Sequence, residues 1–324
     1  MKAIVQDRYG SADVLEFKDV PTPVAGPGEL LVRVRAAAVN AYDWHFMRGD
    51  PYLARLAMGL SRPKKAIRGR DYAGVVEAVG DGVTRFTVGD EVYGEVDGTF
   101  AEYVAVAETS VGAKPKNLTF EQAAAVPLAG NTALIAVRDL GQVRPGQKVL
   151  VNGASGGVGT FAVQIAKAYG AEVTAVCGTR NLDLVRGLGA DHVVDYRTDD
   201  FARTGHRYDA VLDFVANRSL ADYRRALTPA GTLVLAGGGV SEGGSLLGPI
   251  ALLLRSVVLK PFVSQRVLAL TAANSPENLA ALAELLDSGK VTPVIERTYP
   301  LADAADAIRH VEIEHARSKV VITV

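Results

Sequence analysis

The chain has 324 residues, 48% of them hydrophobic and 22% charged, with 35 Lys+Arg against 36 Asp+Glu for a net charge of -1. A chain this long outgrows a single core, so about two domains are expected, and the balanced charge offers no basic excess for a phosphate backbone, so nucleic acid is not an expected partner. A single cysteine, Cys177, excludes an intramolecular disulfide framework and a cysteine-rich zinc lobe, and it fits a reducing, cytoplasmic setting.

The start, Met1-Lys2-Ala3-Ile4-Val5-Gln6-Asp7-Arg8, reads as a strand rather than a secretory leader, which would need an unbroken apolar stretch after its basic residues. Up to about residue 120 short β-like runs follow one another, among them 30–34 and 74–79, broken by Pro21-Thr22-Pro23 and Gly26-Pro27-Gly28. Regular short strands of this kind predict a barrel or sandwich. From about 121 the pattern turns helical at 121–125 and 132–137 and then alternates. Strands are expected at 148–151, 172–177, 192–195, 210–214 and 232–235, and helices at 157–169, 182–188 and 220–227. Near-continuous apolar strands alternating with helices predict a parallel, doubly wound sheet, so the fold class is α/β with a β-rich first part. The mixed tail from about 260, with a helix at 276–287 and a strand at 319–324, does not extend that pattern and is expected to fold back onto the first domain. The most apolar run, 246–254, contains Gly248 and Pro249 and falls well short of the roughly 20 residues of a membrane helix, so no membrane partner is expected.

Between the strand ending at Val151 and the next helix lies Gly153-Ala154-Ser155-Gly156-Gly157-Val158-Gly159. Glycines allow a tight turn, bring backbone N–H groups close to a pyrophosphate and let helix pack against strand, while the helix N-terminus favours the anion. The spacing is G-x-x-G-x-x-G rather than G-x-G-x-x-G, and its strand-turn-helix setting points to dinucleotide binding. A carboxylate at the end of the second strand would hold the ribose 2′-hydroxyl of NAD. Here the stretch reads Cys177-Gly178-Thr179-Arg180; Arg180 and the Thr179 hydroxyl suit a 2′-phosphate, so NADPH (NADP+) is the expected cofactor, unless Arg180 only decorates a helix start. Tyr196, after the third strand, lies either against the adenine ribose or in ordinary packing.

Asn40-Ala41-Tyr42-Asp43, Gly69-Arg70-Asp71-Tyr72-Ala73-Gly74, Val88-Gly89-Asp90-Glu91-Val92-Tyr93-Gly94, the glycine turn and His315-Ala316-Arg317-Ser318-Lys319 together resemble the medium-chain dehydrogenase/reductase superfamily, and within it the zinc-free quinone oxidoreductase (ζ-crystallin-like) branch. The resemblance covers the whole chain. It implies a GroES-like substrate domain from 1–122 and 260–324, a Rossmann domain at 123–259, a cofactor in the cleft and a homodimer. Zinc-binding members hold catalytic metal through a cysteine, a Gly-His-Glu histidine and a third Cys or His; here Asn40, Arg70 and, near the third, Leu128 stand at those places, and none suits zinc. No metal is therefore expected. Without a Lewis acid, hydride transfer to an acceptor that is already electrophilic is favoured.

The expected activity is NADPH-dependent, metal-independent reduction of a quinone-type acceptor. The alternatives are reduction of an alkenal or enone C=C bond in the same cleft, and a non-catalytic NADPH-binding sensor or interaction protein. By resemblance Asn40, Tyr42 and Asp43 face the acceptor: Asn40 donates a hydrogen bond to its oxygen, Tyr42 donates one or shapes the pocket, and Asp43 orients neighbours such as Arg48. The competing reading is a polar turn capping the Trp44 helix. Many relatives have proline where Ala41 stands, and Tyr42 and Trp44 are bulky, so no acceptor preference carries over. Thr132, opening a helix, is expected near the nicotinamide; Phe214, Val215, Gly237 and Gly238 end the fourth and fifth strands at the ligand edge. His315, Ala316 and Arg317 match a family segment that returns to the cofactor, or form a surface turn. The stretch 236–248 is a lid or a plain loop, and 259–262, with Phe262, lines the acceptor pocket or a dimer contact.

Overall fold

The computed structural model describes residues 1–236, 264–314 and 316–324. Gly237, Gly238, Phe262 and His315 lie outside them, as do nearly all of 236–248 and all of 259–262. The chain divides into two compact units, one of residues 1–131, 273–287 and 293–324, the other of residues 132–272 and 288–292.

The first unit is built on a seven-stranded sheet whose long central strand, Glu29–Val39, pairs antiparallel with Asp71–Val79, Tyr103–Ala107 and Lys319–Thr323. Alternation drives it: Leu30, Val32 and Val34 are buried while Arg33 and Arg35 face out. From Ala36 to Val39 every residue of the strand is buried: Lys319–Thr323 pairs along its edge, and the helices Phe120–Ala124 and Ala304–Ile313 pack against it. Lys319–Thr323 is itself paired in parallel with Ile295–Pro300. This is the GroES-like part of the chain. The helix Ala41–Arg48 starts where the central strand ends, and Gly49 closes it in a left-handed conformation at φ 62°.

The second unit holds a six-stranded parallel sheet. Numbered within this sheet, its strands run in the order 3-2-1-4-5-6: Lys148–Asn152 is strand 1, Glu172–Cys177 strand 2, His192–Asp195 strand 3, Tyr208–Asp213 strand 4, Leu227–Leu235 strand 5 and Arg266–Ala269 strand 6. This is the doubly wound, dinucleotide-binding order. Val149, Leu150, Val151, Val211 and Leu212 are fully buried, as strands covered by helices on both faces require. One expectation is corrected here. Arg266–Ala269, assigned from sequence to the returning tail at 260–324, pairs in parallel with Leu227–Leu235 and completes the sheet. At four residues with a mixed burial pattern it carries little periodic signal of its own, and its partner strand decides its place.

Candidate active site: a cofactor edge and an aromatic cavity

In the second unit Gly153–Gly159, Gly178–Arg180, Tyr196, Phe214 and Val215 follow the C-terminal ends of the parallel strands. Gly153 follows strand 1 at φ 82°, and a Cβ there would lie 2.6 Å from the Val215 side chain. At Gly159 a Cβ would lie 2.1 Å from the Gly153 carbonyl oxygen, so only glycine lets the helix Gly157–Ala168 start so close to the turn. Gly156 caps that helix, and Ser155, Gly156, Gly157 and Val158 remain partly open to solvent, where the helix N-terminus presents N–H groups to an anion. The Ser155 hydroxyl accepts a hydrogen bond from Asn181 (2.9 Å). These residues fit a dinucleotide pyrophosphate.

At the end of strand 2, Gly178 is buried under the Tyr196 ring, whose hydroxyl lies 3.2 Å from where a Cβ would stand, and Thr179 and Arg180 are exposed. The Thr179 hydroxyl donates to Asp195 (2.5 Å), and that bond holds the Asp195 carboxyl below its ordinary range. The expected pairing of Thr179 with a 2′-phosphate is thereby corrected: its proton is spent on Asp195, and Arg180 is left as the cationic group of that turn. Phe214 and Val215 follow strand 4. Their loop is tied down by a residue that the sequence reading passed over: Asp213, fully buried, accepts from Asn152 Nδ2 (2.8 Å) and from the backbone N–H groups of Val215 and Ala216.

Thr132 does not open a helix. The helix Pro127–Leu134 begins earlier, and Thr132 is buried within it. Ala316 packs against the core of the first unit, and the Arg317 backbone N–H donates to Glu296 (2.6 Å).

In the first unit Asn40 caps the helix Ala41–Arg48, and its backbone N–H donates to Asp43 Oδ2 (2.7 Å). Its side chain is fully engaged. Oδ1 accepts from Lys319 Nζ (2.5 Å), while Nδ2 donates to Asp71 Oδ2 (3.0 Å) and to the Ala38 carbonyl (3.3 Å). The expectation that Asn40 donates to an acceptor oxygen is therefore corrected, since both of its N–H bonds are used. Asp71, fully buried, also accepts from the Leu128 backbone N–H (3.0 Å) and lies 3.5 Å from Lys319 Nζ. Asp71 and Lys319 each stand in a sequence motif that gives neither of them a role, because 248 residues separate the two partners.

Burial pushes the Asp43 carboxyl up to about 7, with the Asn40 N–H bond and Lys319 opposing and Asp71 adding to the rise. Burial likewise raises Asp71 and lowers Lys319. Arg48, the neighbour expected for Asp43, instead pairs with Glu312.

This corner does not fit a zinc ion. A lysine ammonium is bonded to the Asn40 oxygen, Leu128 contributes its backbone N–H rather than a ligand, and Arg70 turns away to Glu95 (2.5 Å) and Asp97 (3.2 Å). Among the described residues no three His, Cys, Asp or Glu side chains are grouped to hold a metal.

Next to the corner is a cavity of about 200 Å³ walled by Tyr9, Tyr42, Phe46, Met58, Ile67 and Arg68, with Asp43 also on its lining. Tyr42 and Phe46 stack at 3.9 Å between ring centroids. The Tyr42 hydroxyl accepts from Arg70 (3.1 Å) and donates to Asp97 (3.4 Å), and the Arg70 guanidinium lies 4.7 Å from the Tyr42 ring centroid. Burial raises the Tyr42 hydroxyl to about 12, so it keeps its proton and acts as a hydrogen-bond donor. The sequence reading missed Arg68, which is 5% exposed and whose Nε has no hydrogen-bond partner.

A parallel sheet of order 3-2-1-4-5-6 with a glycine-rich turn after its first strand is the architecture of the dinucleotide-binding proteins. Residues 26–116 match the family model described as alcohol dehydrogenase GroES-like domain, and residues 188–322 the one described as zinc-binding dehydrogenase. The chain is 36% identical over 362 residues to the human NAD(P)H oxidoreductase RTN4IP1, mitochondrial, covering 100% of this chain and 89% of that protein. The solved quinone oxidoreductase from Coxiella burnetii superposes with a TM-score of 0.87 at 30% identity, covering 100% of this chain and 99% of that one. A mycobacterial protein solved in complex with NADPH gives a TM-score of 0.85 at 29% identity, covering 100% of both chains. The chain belongs to the quinone oxidoreductase-like branch of the medium-chain dehydrogenase/reductase superfamily.

Proposed function

We propose that the chain is an NADPH-preferring, zinc-independent reductase that delivers hydride to a quinone-type acceptor in the Tyr42 cavity. The observation that carries this reading is the Tyr42 hydroxyl, set on an aromatic wall and braced by the Arg70 guanidinium at 3.1 Å. Bound NADPH supplies the hydride from its nicotinamide ring. The protein's share is to bind, orient and stabilise charge. The Gly153–Gly159 turn would hold the pyrophosphate and Arg180 the 2′-phosphate; the protein resembled at 29% identity was solved with NADPH. The stacked Tyr42 and Phe46 rings suit a flat acceptor. When the Tyr42 O–H turns from its long bond with Asp97 to the acceptor oxygen, Arg70 stays on the phenol oxygen and disperses the negative charge that hydride addition creates. Asp43, on the same lining and titrating near 7, carries an exchangeable proton at neutral pH. An ammonium in the metal corner supports zinc independence, and an acceptor that needs no Lewis acid follows from it.

The test is nicotinamide oxidation with NADPH or NADH against quinones, enones and simple alcohols, beside metal analysis of the purified protein. Quinone reduction that a chelator leaves unchanged is expected. Tyr42→Phe should lower kcat/KM for the quinone about 10- to 100-fold with NADPH affinity unchanged. Turnover of enones alone would replace the acceptor, NADPH binding with no turnover would make the chain a sensor, and stoichiometric zinc with chelator-sensitive turnover would overturn the metal assignment.

A further inference from the structure

Four of the exposed large apolar side chains among the described residues lie within nine positions of one another: Tyr52 (46% exposed), Leu53 (42%), Leu56 (68%) and Leu60 (70%). A cluster of this kind on one surface segment calls for a partner. The segment also has a one-sided charge. Residues 51–70 contain four arginines and two lysines and no aspartate or glutamate, in a chain whose net charge as a whole is only -1. Arg62, Lys64 and Lys65 are exposed, and among the described residues none of them forms an ion pair.

The segment is firmly built. The Arg55 guanidinium lies against the rings of Tyr9 (4.4 Å) and Tyr52 (4.7 Å) and donates to the carbonyls of Gly49 (2.8 Å) and Arg48 (3.1 Å). Tyr9 Oη donates to the Gly59 carbonyl (2.6 Å), and Met58 is turned inward. Leu53, Leu56 and Leu60 are left facing water on a fixed scaffold, with cations beside them.

We propose that residues 51–66 form a docking surface for an anionic phospholipid bilayer. Leucines that insert shallowly, flanked by unpaired cations that meet lipid phosphates, are what such an interface requires. A second copy of the chain would have to accept the same unneutralised cations, so charge complementarity favours lipid. The expectation of no membrane partner rested on the lack of a spanning helix, and none of the helices among the described residues is long and apolar enough to cross a membrane; a surface attachment needs none. The same segment supplies Met58, Pro63, Lys64 and Lys65 to the cavity wall, so docking brings the acceptor cavity to the lipid surface. With the proposed quinone chemistry, this favours acceptors that partition into the bilayer.

The experiment is co-sedimentation of the full chain, without NADPH or acceptor, with phosphatidylcholine vesicles and with vesicles that also contain phosphatidylglycerol. Binding to the anionic vesicles that weakens with salt is expected. Leu56→Ser with Leu60→Ser should lower the partition coefficient on the order of 100-fold, and Arg62→Glu, a two-unit change of charge, about 30-fold. All three sites are exposed, and circular dichroism checks that the variants fold. No binding, equal binding to neutral vesicles, or variants that bind like the parent would overturn the proposal. So would variants that only dissociate a dimer in light scattering, which would assign the surface to a second copy. Failure to reduce quinones would leave this result standing, because nothing in it depends on turnover.

Discussion

Replacing Lys319 by methionine tests the reading of the metal corner. The substitution keeps the length of the side chain and removes its charge. Asp71 then keeps its bonds from Asn40 Nδ2 and the Leu128 N–H, both 3.0 Å, but loses the cation 3.5 Å away, and Asn40 Oδ1 loses its donor. Removing one partner of a buried ion pair costs about 3–5 kcal/mol; with two bonds to Asp71 surviving, the lower end is expected, about 3 kcal/mol at neutral pH. The loss depends on pH, and its sign is fixed. Burial already raises the Asp71 carboxyl in the folded protein, and without Lys319 it rises further. As pH climbs past the unfolded value of about 3.9, the unfolded chain releases a proton that folded Asp71 retains, so the variant loses stability with rising pH until Asp71 ionises in the fold. Urea unfolding can be followed through Trp44, the single tryptophan, which sits in the helix that Asn40 caps. The deficit should be smaller near about pH 5 than near about pH 8, and adding Asp71→Asn should recover most of it. A deficit below about 1 kcal/mol, or a double variant no better than the single one, would refute the picture of Lys319 as the charge that Asp71 requires.

Two other outcomes test the cofactor edge. Arg180→Ala should weaken NADPH binding about 10- to 100-fold, the worth of a charge-assisted contact, and leave NADH nearly unchanged in isothermal titration; equal losses for both would remove the 2′-phosphate assignment. Gly159→Ala places a methyl group 2.1 Å from the Gly153 oxygen and forces the helix away from the turn. NADPH affinity should fall at least tenfold while urea unfolding of the first unit, read at Trp44, is unchanged; undiminished NADPH binding would contradict the role given to that close approach.

The sequence by itself determined the parts whose partners are near in the chain. A strand, a glycine turn and a helix in succession fix the pyrophosphate cradle, because Gly153 and Gly159 must meet across six residues, and the buried strands at 148–152 and 172–177 announce themselves by their largely apolar centres. Likewise Asn40 and Asp43 form a local capping pair that the competing polar-turn reading had described. Only the tertiary structure decided what Asn40 does with its amide. Lys319 reaches it from 279 residues away, and no pattern around either residue encodes that meeting. The same holds for the short strand Arg266–Ala269, whose membership follows from the strand beside it, and for Thr179, whose hydroxyl is claimed by Asp195. Backbone shape follows largely from local preference and periodic burial, whereas the direction of a polar side chain follows from which donors and acceptors surround it once water is excluded, and those come from anywhere in the chain.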